Sequence, residues 1–562
     1  MKIRFIRKTR GVLALRILVA SLLPLALIAP AKGADSAVTT PLTIAAQAGI
    51  PGVANVPFTG VKSSVFTPSD KMLNLDVAPS QGVLGDPITI SGKGLPANTS
   101  LKLTWSTADG NWIADVQPNT VNYMGLKYIK YNVDIASVTT DASGAFTYKT
   151  NAPEDFGGIH DIYAVQDSVA ISHGGFQQMR TYSISPTSGP VGTPITVTYT
   201  AMGASLYTGG GSVHWDSNYA GEMQGVWTRG TGKVVIRASG AVGTHYVEVK
   251  NALNAAYLNV IQSPIPFTNG GMMKFTVTKD AGAPKPYITW PSDVSPTVAQ
   301  RTTLSTAGLD PNTKAVASLS VSSGPINTKT MLNVTGLTST GSHQIVWSTV
   351  VGNRVNCTGT CWAFDALPLA TVDVTNGVIN KEITIPDNLG GWHVIQIKKG
   401  DVIEDQIPFY LKHSIMPFYD KSGKQIGLGL AKADLSNTAE AISRGQAGAP
   451  STTFKSGEEF TISLKGVGWT QLDNTMGVTY DNSYVGYGCG FNSNGYTVIH
   501  LKAMGAPGTH IIDLNPILYT NQPSFPNTPY GMLPVLSAGR DFPGLALGYT
   551  VPSIHFAITV TK

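Results

Sequence analysis

Short runs in which apolar and polar residues alternate recur along this chain, separated by clusters of Gly, Pro, Asn, Asp and Ser. Ile88-Thr89-Ile90 and Ile195-Thr196-Val197-Thr198-Tyr199 each put apolar side chains on one face of an extended strand and hydroxyls on the other. Turn sequences such as Asp141-Ala142-Ser143-Gly144-Ala145-Phe146 end such runs. Short strands bounded in this way predict antiparallel sandwiches, so the expected fold class is all-β. One stretch reads differently. Ala433 to Arg444 is the best helix candidate, with Gly445 as its C-terminal stop.

The chain also repeats itself in an alternating A-B-A-B order. V-H-W-D-S-N-Y-A-G-E-M-Q-G from Val213 returns as V-T-Y-D-N-S-Y-V-G-Y-G-C-G from Val478. The match continues through G-A-V-G-T-H (Gly240 to His245) and G-A-P-G-T-H (Gly505 to His510). A second pair links W-S-T-A-D-G-N from Trp105 to W-S-T-V-V-G-N from Trp347, and P-E-D-F-G-G-I-H-D-I from Pro153 to P-D-N-L-G-G-W-H-V-I from Pro386. Two kinds of unit, each used twice, imply duplication.

The openings of the first two units carry a resemblance. P-S-Q-G-V-L-G-D-P-I-T-I from Pro79 is echoed by P-T-S-G-P-V-G-T-P-I-T-V from Pro186. This Pro-x-x-Gly-x-x-Gly turn leading into an alternating strand resembles the immunoglobulin-like IPT/TIG family. Gly82, Gly85, Gly189 and Gly192 suit tight turns, and Pro87 and Pro194 suit the start of an edge strand. The resemblance implies four tandem Ig-like β-sandwich modules. Their expected limits are 71–184 (A1), 185–280 (B1), 281–415 (A2) and 416–562 (B2, with insertions), after a signal peptide at 1–33 and a linker or extended arm at 34–70. The segments 417–456 and 515–552 are longer than their counterparts, and long loops on rigid sandwiches are where binding residues gather.

Lys2, Arg4, Arg7, Lys8 and Arg10, then an apolar stretch from Ile17 to Pro30 and the small residues Ala31 and Gly33, read as an export signal. Residues 1–33 hold seven Lys/Arg and no Asp/Glu, so their removal takes the formal charge from +5 to −2. The basic balance therefore belongs to the signal, which argues against a nucleic-acid partner. Pro24 and Pro30 argue against a retained span, so no membrane span is expected after cleavage. An exported location, whether periplasmic, cell-surface or extracellular, permits a local disulfide between Cys357 and Cys361 in N-C-T-G-T-C-W. The remaining Cys489 aligns with Gln224, so the unit does not need a thiol there.

Candidate chemistry concentrates on repeated positions. His160, His245, His393 and His510 each follow a glycine-containing turn and open a strand. Repetition across both kinds of unit favours a structural hydrogen-bonding role over a metal or acid–base site. Asp216 and Asp481, in D-x-x-Y-x-G, turn the chain by accepting backbone N–H bonds or hold calcium with nearby carbonyls. Together with His245 and His510 they form a structural set or a metal set, the metal being unknown. No cofactor beyond calcium is suggested. Trp105 and Trp347 repeat in place and read as core. Trp112, Trp227 and Trp362 do not repeat and lie near turns, which makes them the candidates for exposed stacking on sugar rings.

No G-x-S-x-G, H-E-x-x-H, P-loop or Rossmann fingerprint is present. The leading expectation is a secreted or cell-surface protein that is not an enzyme. It would serve adhesion, carbohydrate or protein binding, or extracellular assembly. Its expected partner is a polysaccharide or a cell-envelope or extracellular protein, and self-assembly through the 34–70 arm is a further option. The alternative is an extracellular hydrolase-like enzyme or enzyme subunit with its site in B2, working through carboxylates that no short motif marks.

Overall fold

The alternating runs become strands in the computed structural model, which describes residues 61–562 except 118–119, 206–207, 252–260, 262–270, 292–308, 353–361, 435–446, 469–472 and 520–531. The architecture is nearly all-β, with multiple sheets arranged in a manner consistent with Ig-like sandwiches. Among the described residues the helical turns are short 3-10 pieces such as Phe491–Ser493 and Pro543–Leu547, and no helix is long and apolar enough to cross a membrane. The expected signal peptide, most of the expected arm and the Cys357–Cys361 candidate lie outside the described residues, as does most of the Ala433–Arg444 helix candidate; Ala433 itself ends the strand Leu430–Ala433.

A change of sheet early in each unit explains the Pro/Gly openings. The strand Thr67–Ala78 pairs in parallel with Val169–Gln178 through its first part, and antiparallel with Pro87–Gly92 through Leu75–Ala78. Further on, Thr181–Ser185 joins a sheet with Pro194–Thr200 and Gly232–Arg237, then Ser188–Gly189 crosses to pair in parallel with Gly271–Val277. Val316–Leu319 and Ser323–Gly324 repeat the move against Lys329–Thr335 and Val402–Leu411. So do Ser414–Ile415 and Thr453–Lys455, against Glu459–Lys465 and Ser553–Thr561. The insertion 417–452 therefore sits inside this crossover. It forms a hairpin (Pro417–Tyr419 with Gln425–Leu428) and two added strands, Leu430–Ala433 and Ala447–Pro450, rather than a free loop.

The faces that meet are apolar at every second position. Ile88, Ile90, Leu101, Leu103, Trp105 and Phe176 fill one core. Ile195, Val197, Tyr199, Trp215 and Phe275 fill the next, and Leu332, Val334, Trp347, Ile395 and Phe409 a third. Burying each such side chain contributes about 1.5–3 kcal/mol. The fourth core, built on Phe454, Phe460, Ile512 and Phe556, differs because it draws in Trp112, Trp227, Trp392 and Tyr410 from earlier parts of the chain.

That sharing comes from the path of the chain after residue 534. After the strand Met532–Pro534, residues 535–551 run between units instead of over the surface. Leu536 N donates to Glu222 O at 2.8 Å and Trp227 N donates to Asp541 Oδ1 at 2.8 Å. Trp392 Nε1 donates to Gly548 O at 2.9 Å, and Tyr410 Oη donates to Thr550 O at 2.6 Å. The segment Tyr287–Thr289, in the range 281–415, pairs with the last strand of the chain through Tyr287–His555 and Thr289–Ser553. Much of the 515–552 stretch is thus internal packing.

Two of the three tryptophans expected at the surface are corrected by this arrangement. Trp112 is 3 % exposed and Trp227 is 8 % exposed, and their rings meet edge to face at 6.4 Å. They do not recur in the other units because they fill a joint between units, where no repeated position exists. The side chain of Trp362 lies outside the described residues.

Phe542 anchors the joining segment and is fully buried in the shared core. Phe542→Ala should lower stability by about 3–5 kcal/mol through lost transfer energy and the cavity left behind; urea unfolding of the parent and the variant measures it.

Candidate functional site

Four aromatic–imidazole contacts, three of them stacked and one tilted, occupy the positions that the repeats single out. His160 lies on Trp105 with ring centroids 4.6 Å apart, His393 on Trp347 at 4.4 Å, and His245 on Trp215 at 5.1 Å. His510 meets Tyr480 at 5.6 Å. In the first two, both ring nitrogens face backbone carbonyls. His160 Nδ1 and Nε2 reach Ser106 O and Phe156 O, each at 2.6 Å, and His393 reaches Ser348 O at 3.1 Å and Leu389 O at 2.7 Å. Burial drives the pKa of His393 down to about 4. Beside His160 stands buried Asp155, which accepts from Trp105 Nε1 at 3.0 Å and Thr107 Oγ1 at 2.8 Å. Its counterpart near His393 is Asn388, which accepts from Thr349 Oγ1 at 2.6 Å.

The other two stacks close on carboxylates. Asp216-Ser217 and Asp481-Asn482 are two-residue hairpin turns whose four residues all have positive φ, between 46° and 69°. Each turn points its carboxylate at the strand opened by the histidine. His245 Nδ1 lies 2.5 Å from Asp216 Oδ2 and Nε2 2.7 Å from Ala241 O, while Tyr246 N donates to Asp216 Oδ1. His510 Nδ1 donates to Asp481 Oδ2 at 2.6 Å and Nε2 to Ala506 O at 2.8 Å, while Ile511 N donates to Asp481 Oδ1. The imidazole lies against a glycine: a Cβ on Gly505 would sit 2.3 Å from His510 Cε1, and one on Gly240 would sit 2.9 Å from His245 Cε1. This accounts for the repeated G-A-x-G-T-H. In both pairs the carboxylate oxygens and the ring nitrogens are engaged internally. Among the described residues no group of three or more His, Cys, Asp or Glu is gathered to hold a metal.

A different constellation forms where the strands 508–519, 553–561 and 287–289 lie side by side. Asp513 and His555 are directly paired across two strands, and Tyr287 and His555 across the next. His555 Nδ1 donates to Asp513 Oδ1 at 2.6 Å, and His555 Nε2 lies 3.1 Å from the hydroxyl of exposed Thr289. The same Asp513 oxygen receives Arg237 Nη2 at 2.7 Å, and Arg237, 1 % exposed, also donates to Ile512 O and Phe556 O. Burial pushes the Asp513 pKa up, but Arg237 and His555 outweigh it and hold the carboxyl below its ordinary value. A hydroxyl, an imidazole and an ionised carboxylate in this order can relay a proton away from the hydroxyl.

Two further acids are buried at joints. Glu222 accepts from Tyr219 Oη at 2.8 Å, and burial raises its pKa to about 8 against the pull of that bond. Asp541 accepts from Trp227 N and Thr228 Oγ1, and burial raises its pKa to about 7.

The recurring residues Asp216, His245, Asp481 and His510 are thus brought together in pairs, and Trp112 meets Trp227. Sequence reasoning did not find His555, Thr289, Arg237, Glu222 or Asp541 as a site. One signal was available. Thr276-Val277-Thr278-Lys279 matches Thr559-Val560-Thr561-Lys562, which puts His555 where Met272 stands. A histidine present in only one of two copies stands apart from the shared frame. Asp513 is legible as the counterpart of Glu248, a repeated carboxylate in the strand after the histidine, whereas Thr289 is unmarked because only strand pairing brings it to the site.

Searches of known proteins match no family model and no curated relative. Among solved structures, the native conformation of Escherichia coli α2-macroglobulin matches with 7 % identity over 89 % of this chain and 32 % of its own, at a TM-score of 0.16. Salmonella α2-macroglobulin reacted with methylamine gives 8 % identity over 87 % and 31 %, also at 0.16. A Corynebacterium diphtheriae protein named as membrane anchored gives 8 % over 83 % and 89 %, at 0.14. The chain spans about a third of the length of these α2-macroglobulins, and at such scores the likeness carries no functional argument.

Two predictions follow from these sites. The bond to Asp481, more than any other influence, raises the pKa of His510 above its usual value. Asp481→Asn should therefore lower it, as read by NMR titration of the imidazole. Glu222 and Asp541 have folded pKa values above the ordinary 4.5 and 3.8. Their contribution to stability is complete below these ordinary values and is lost as pH rises through about 8 for Glu222 and about 7 for Asp541. Glu222→Gln and Asp541→Asn should each flatten the decline of the unfolding midpoint between the ordinary carboxyl pKa and about pH 8 and about pH 7 respectively.

Proposed function

We propose that this chain is an exported, non-catalytic protein of four Ig-like β-sandwich modules in A-B-A-B order, with limits near 71–184, 185–280, 281–415 and 416–562. It binds a polysaccharide or a cell-envelope or extracellular protein. One observation carries the reading. The histidines and acids that recur along the chain are tied to internal carbonyls, carboxylates and backbone N–H groups, so the repeated chemistry serves the frame of each sandwich. The disulfide Cys357–Cys361, a calcium ion at Asp216 or Asp481, and contact through Trp362 remain part of the proposal. Trp112 and Trp227 do not, because they are buried.

Residues 34–562 should bind one or more members of an array of polysaccharides and cell-envelope fractions without releasing new products in the same wells. Product release would overturn the non-catalytic reading.

The Thr289–His555–Asp513 relay supports a second reading, an acyl hydrolase. Thr289 Oγ1 would attack an ester carbonyl and pass its proton to His555 Nε2. The imidazolium would return that proton to the departing alkoxide, and water would then release the acyl group from Thr289. On this reading hydrolysis of a nitrophenyl ester falls about 100-fold or more in Thr289→Val, which keeps the shape and removes the hydroxyl. Equal rates in parent and variant would dismiss it.

A further inference from the structure

The two copies of the W-S-T repeat differ on one sheet face. In the first, Thr104 pairs with Asp134 on one side and Tyr163 on the other, and Tyr163 pairs with His173. These side chains form a row across four strands. Trp105 and Ile162, one position on, fill the core, which puts the row on the opposite face. In the second copy Val346 takes the place of Thr104, Val394 of Asp161, Gln396 of Tyr163 and Gln406 of His173. All four are buried there, and Val394 packs in a cluster with Phe491. In the first copy the side chains of Asp161 and His173 are 46 % and 41 % exposed. One copy uses this face as internal packing, and the other displays it with different chemistry.

That chemistry is an aromatic platform with hydrogen-bonding groups at its side. The rings of Tyr163 and His173 are 4.9 Å apart. His173 Nε2 lies 2.9 Å from Asp161 Oδ1, and Asp161 N donates to Ser106 Oγ at 2.6 Å, which fixes the carboxylate beside the rings. An aromatic surface takes the apolar C–H side of a sugar, while a carboxylate, an imidazole and a phenol bond its hydroxyls. Asp161 is matched by His173, and Asp134 by Lys102 at 3.1 Å. With its charges already matched, the face suits an uncharged chain better than a polyanion.

A strap of the chain crosses this face. Val61 pairs with Asp134 at one side, and Thr67 pairs with Val169 at the other. Between them Ser63 Oγ donates to Asp134 Oδ1 at 2.5 Å, Ser63 N donates to Asn132 O at 2.9 Å, and the Phe66 ring lies 5.3 Å from that of Tyr163. Thr104 stands in the row between those two anchor points and is 1 % exposed. Among the described residues neither its Oγ1 nor Asn132 Oδ1 has a hydrogen-bond partner. A buried polar atom left unpaired costs free energy, so the strap closes over groups that it does not satisfy.

We propose that the face carrying Tyr163, His173 and Asp161 binds a neutral polysaccharide, and that Phe66 holds the stacking place on Tyr163 until a sugar displaces it. With the strap lifted, a sugar ring stacks on Tyr163 and its hydroxyls bond Asp161 and His173. Thr104 Oγ1 and Asn132 Oδ1 gain partners in the same step. This rests on the reading of the protein as an exported binder and names the site of that binding.

The test titrates soluble dextran, mannan and galactan into residues 34–562 calorimetrically. The chains compared are the parent, Phe66→Ala, and Phe66→Ala combined with Tyr163→Ala or with Asp161→Asn. Thermal melts check that each keeps the parent fold, and Asp161→Asn, a change at one half-exposed side chain, decides the matter should Tyr163→Ala unfold. At least one polysaccharide should bind Phe66→Ala more tightly than the parent. Each added substitution should then weaken that binding about 10-fold, the loss of one good contact. Phe66→Ala that binds no more tightly than the parent overturns the strap. Binding unchanged by Tyr163→Ala and Asp161→Asn overturns the site and leaves the binder reading intact. Should none of these polysaccharides bind any chain, the site is overturned, and cell-envelope fractions titrated in parallel decide the binder reading by themselves.

Discussion

An imidazole set against an aromatic ring, with both nitrogens facing oxygen atoms, is the constraint that ties a turn to a strand at four places among the described residues. Backbone carbonyls that a turn leaves without a strand partner need donors, and burial makes an unmet carbonyl costly. The rings of His160 and His393 each lie between carbonyls from two segments of the chain, with Trp105 and Trp347 as their floors, and the neutral His393 ring donates to one of its two. His245 and His510 use the same geometry but spend one nitrogen on the carboxylate of a hairpin turn. The result joins a tight turn, a strand opening and the aromatic core in one short network. It also requires glycine at positions 240 and 505, because the ring occupies the space of a Cβ.

Charge at the joints between units follows the availability of a cation. Asp513 has Arg237 and His555 beside it and stays ionised although buried. Glu222 and Asp541 are as deeply buried, but their bonds do not outweigh the loss of water, so both favour the protonated form more than an exposed acid does. The joints therefore combine one paired ionic network with two acids whose state depends on pH. The two acids with raised pKa values lie beside residues 535–541 or within them, and the ionic network lies beside the Tyr287–Thr289 strand.

The frame of the fold was legible in the sequence because β structure writes itself in local terms. Alternation at Ile88–Ile90 and Ile195–Tyr199 set which face is buried, and the Gly and Pro openings marked where a strand changes sheet. The repeated histidines, aspartates and glycines pointed to the right places because the networks close within the same stretch of repeated sequence, over about thirty residues at His245 and His510 and about fifty at His160 and His393. Reading Trp112 and Trp227 as exposed misled, since a residue without a counterpart was taken to face solvent when it faced another unit.

By itself the sequence determined the all-β class, the positions of the turns and the residues that recur, since each depends on contacts between near neighbours and on a period of two. Only the tertiary structure decided where the unmatched residues go. His555 meets Thr289 and Asp513, Arg237 meets Asp513, and the tail 535–551 becomes the packing between units. Those meetings join positions up to about three hundred residues apart, through strand pairing and shape complementarity between whole sheets, and neither leaves a periodic mark on either partner.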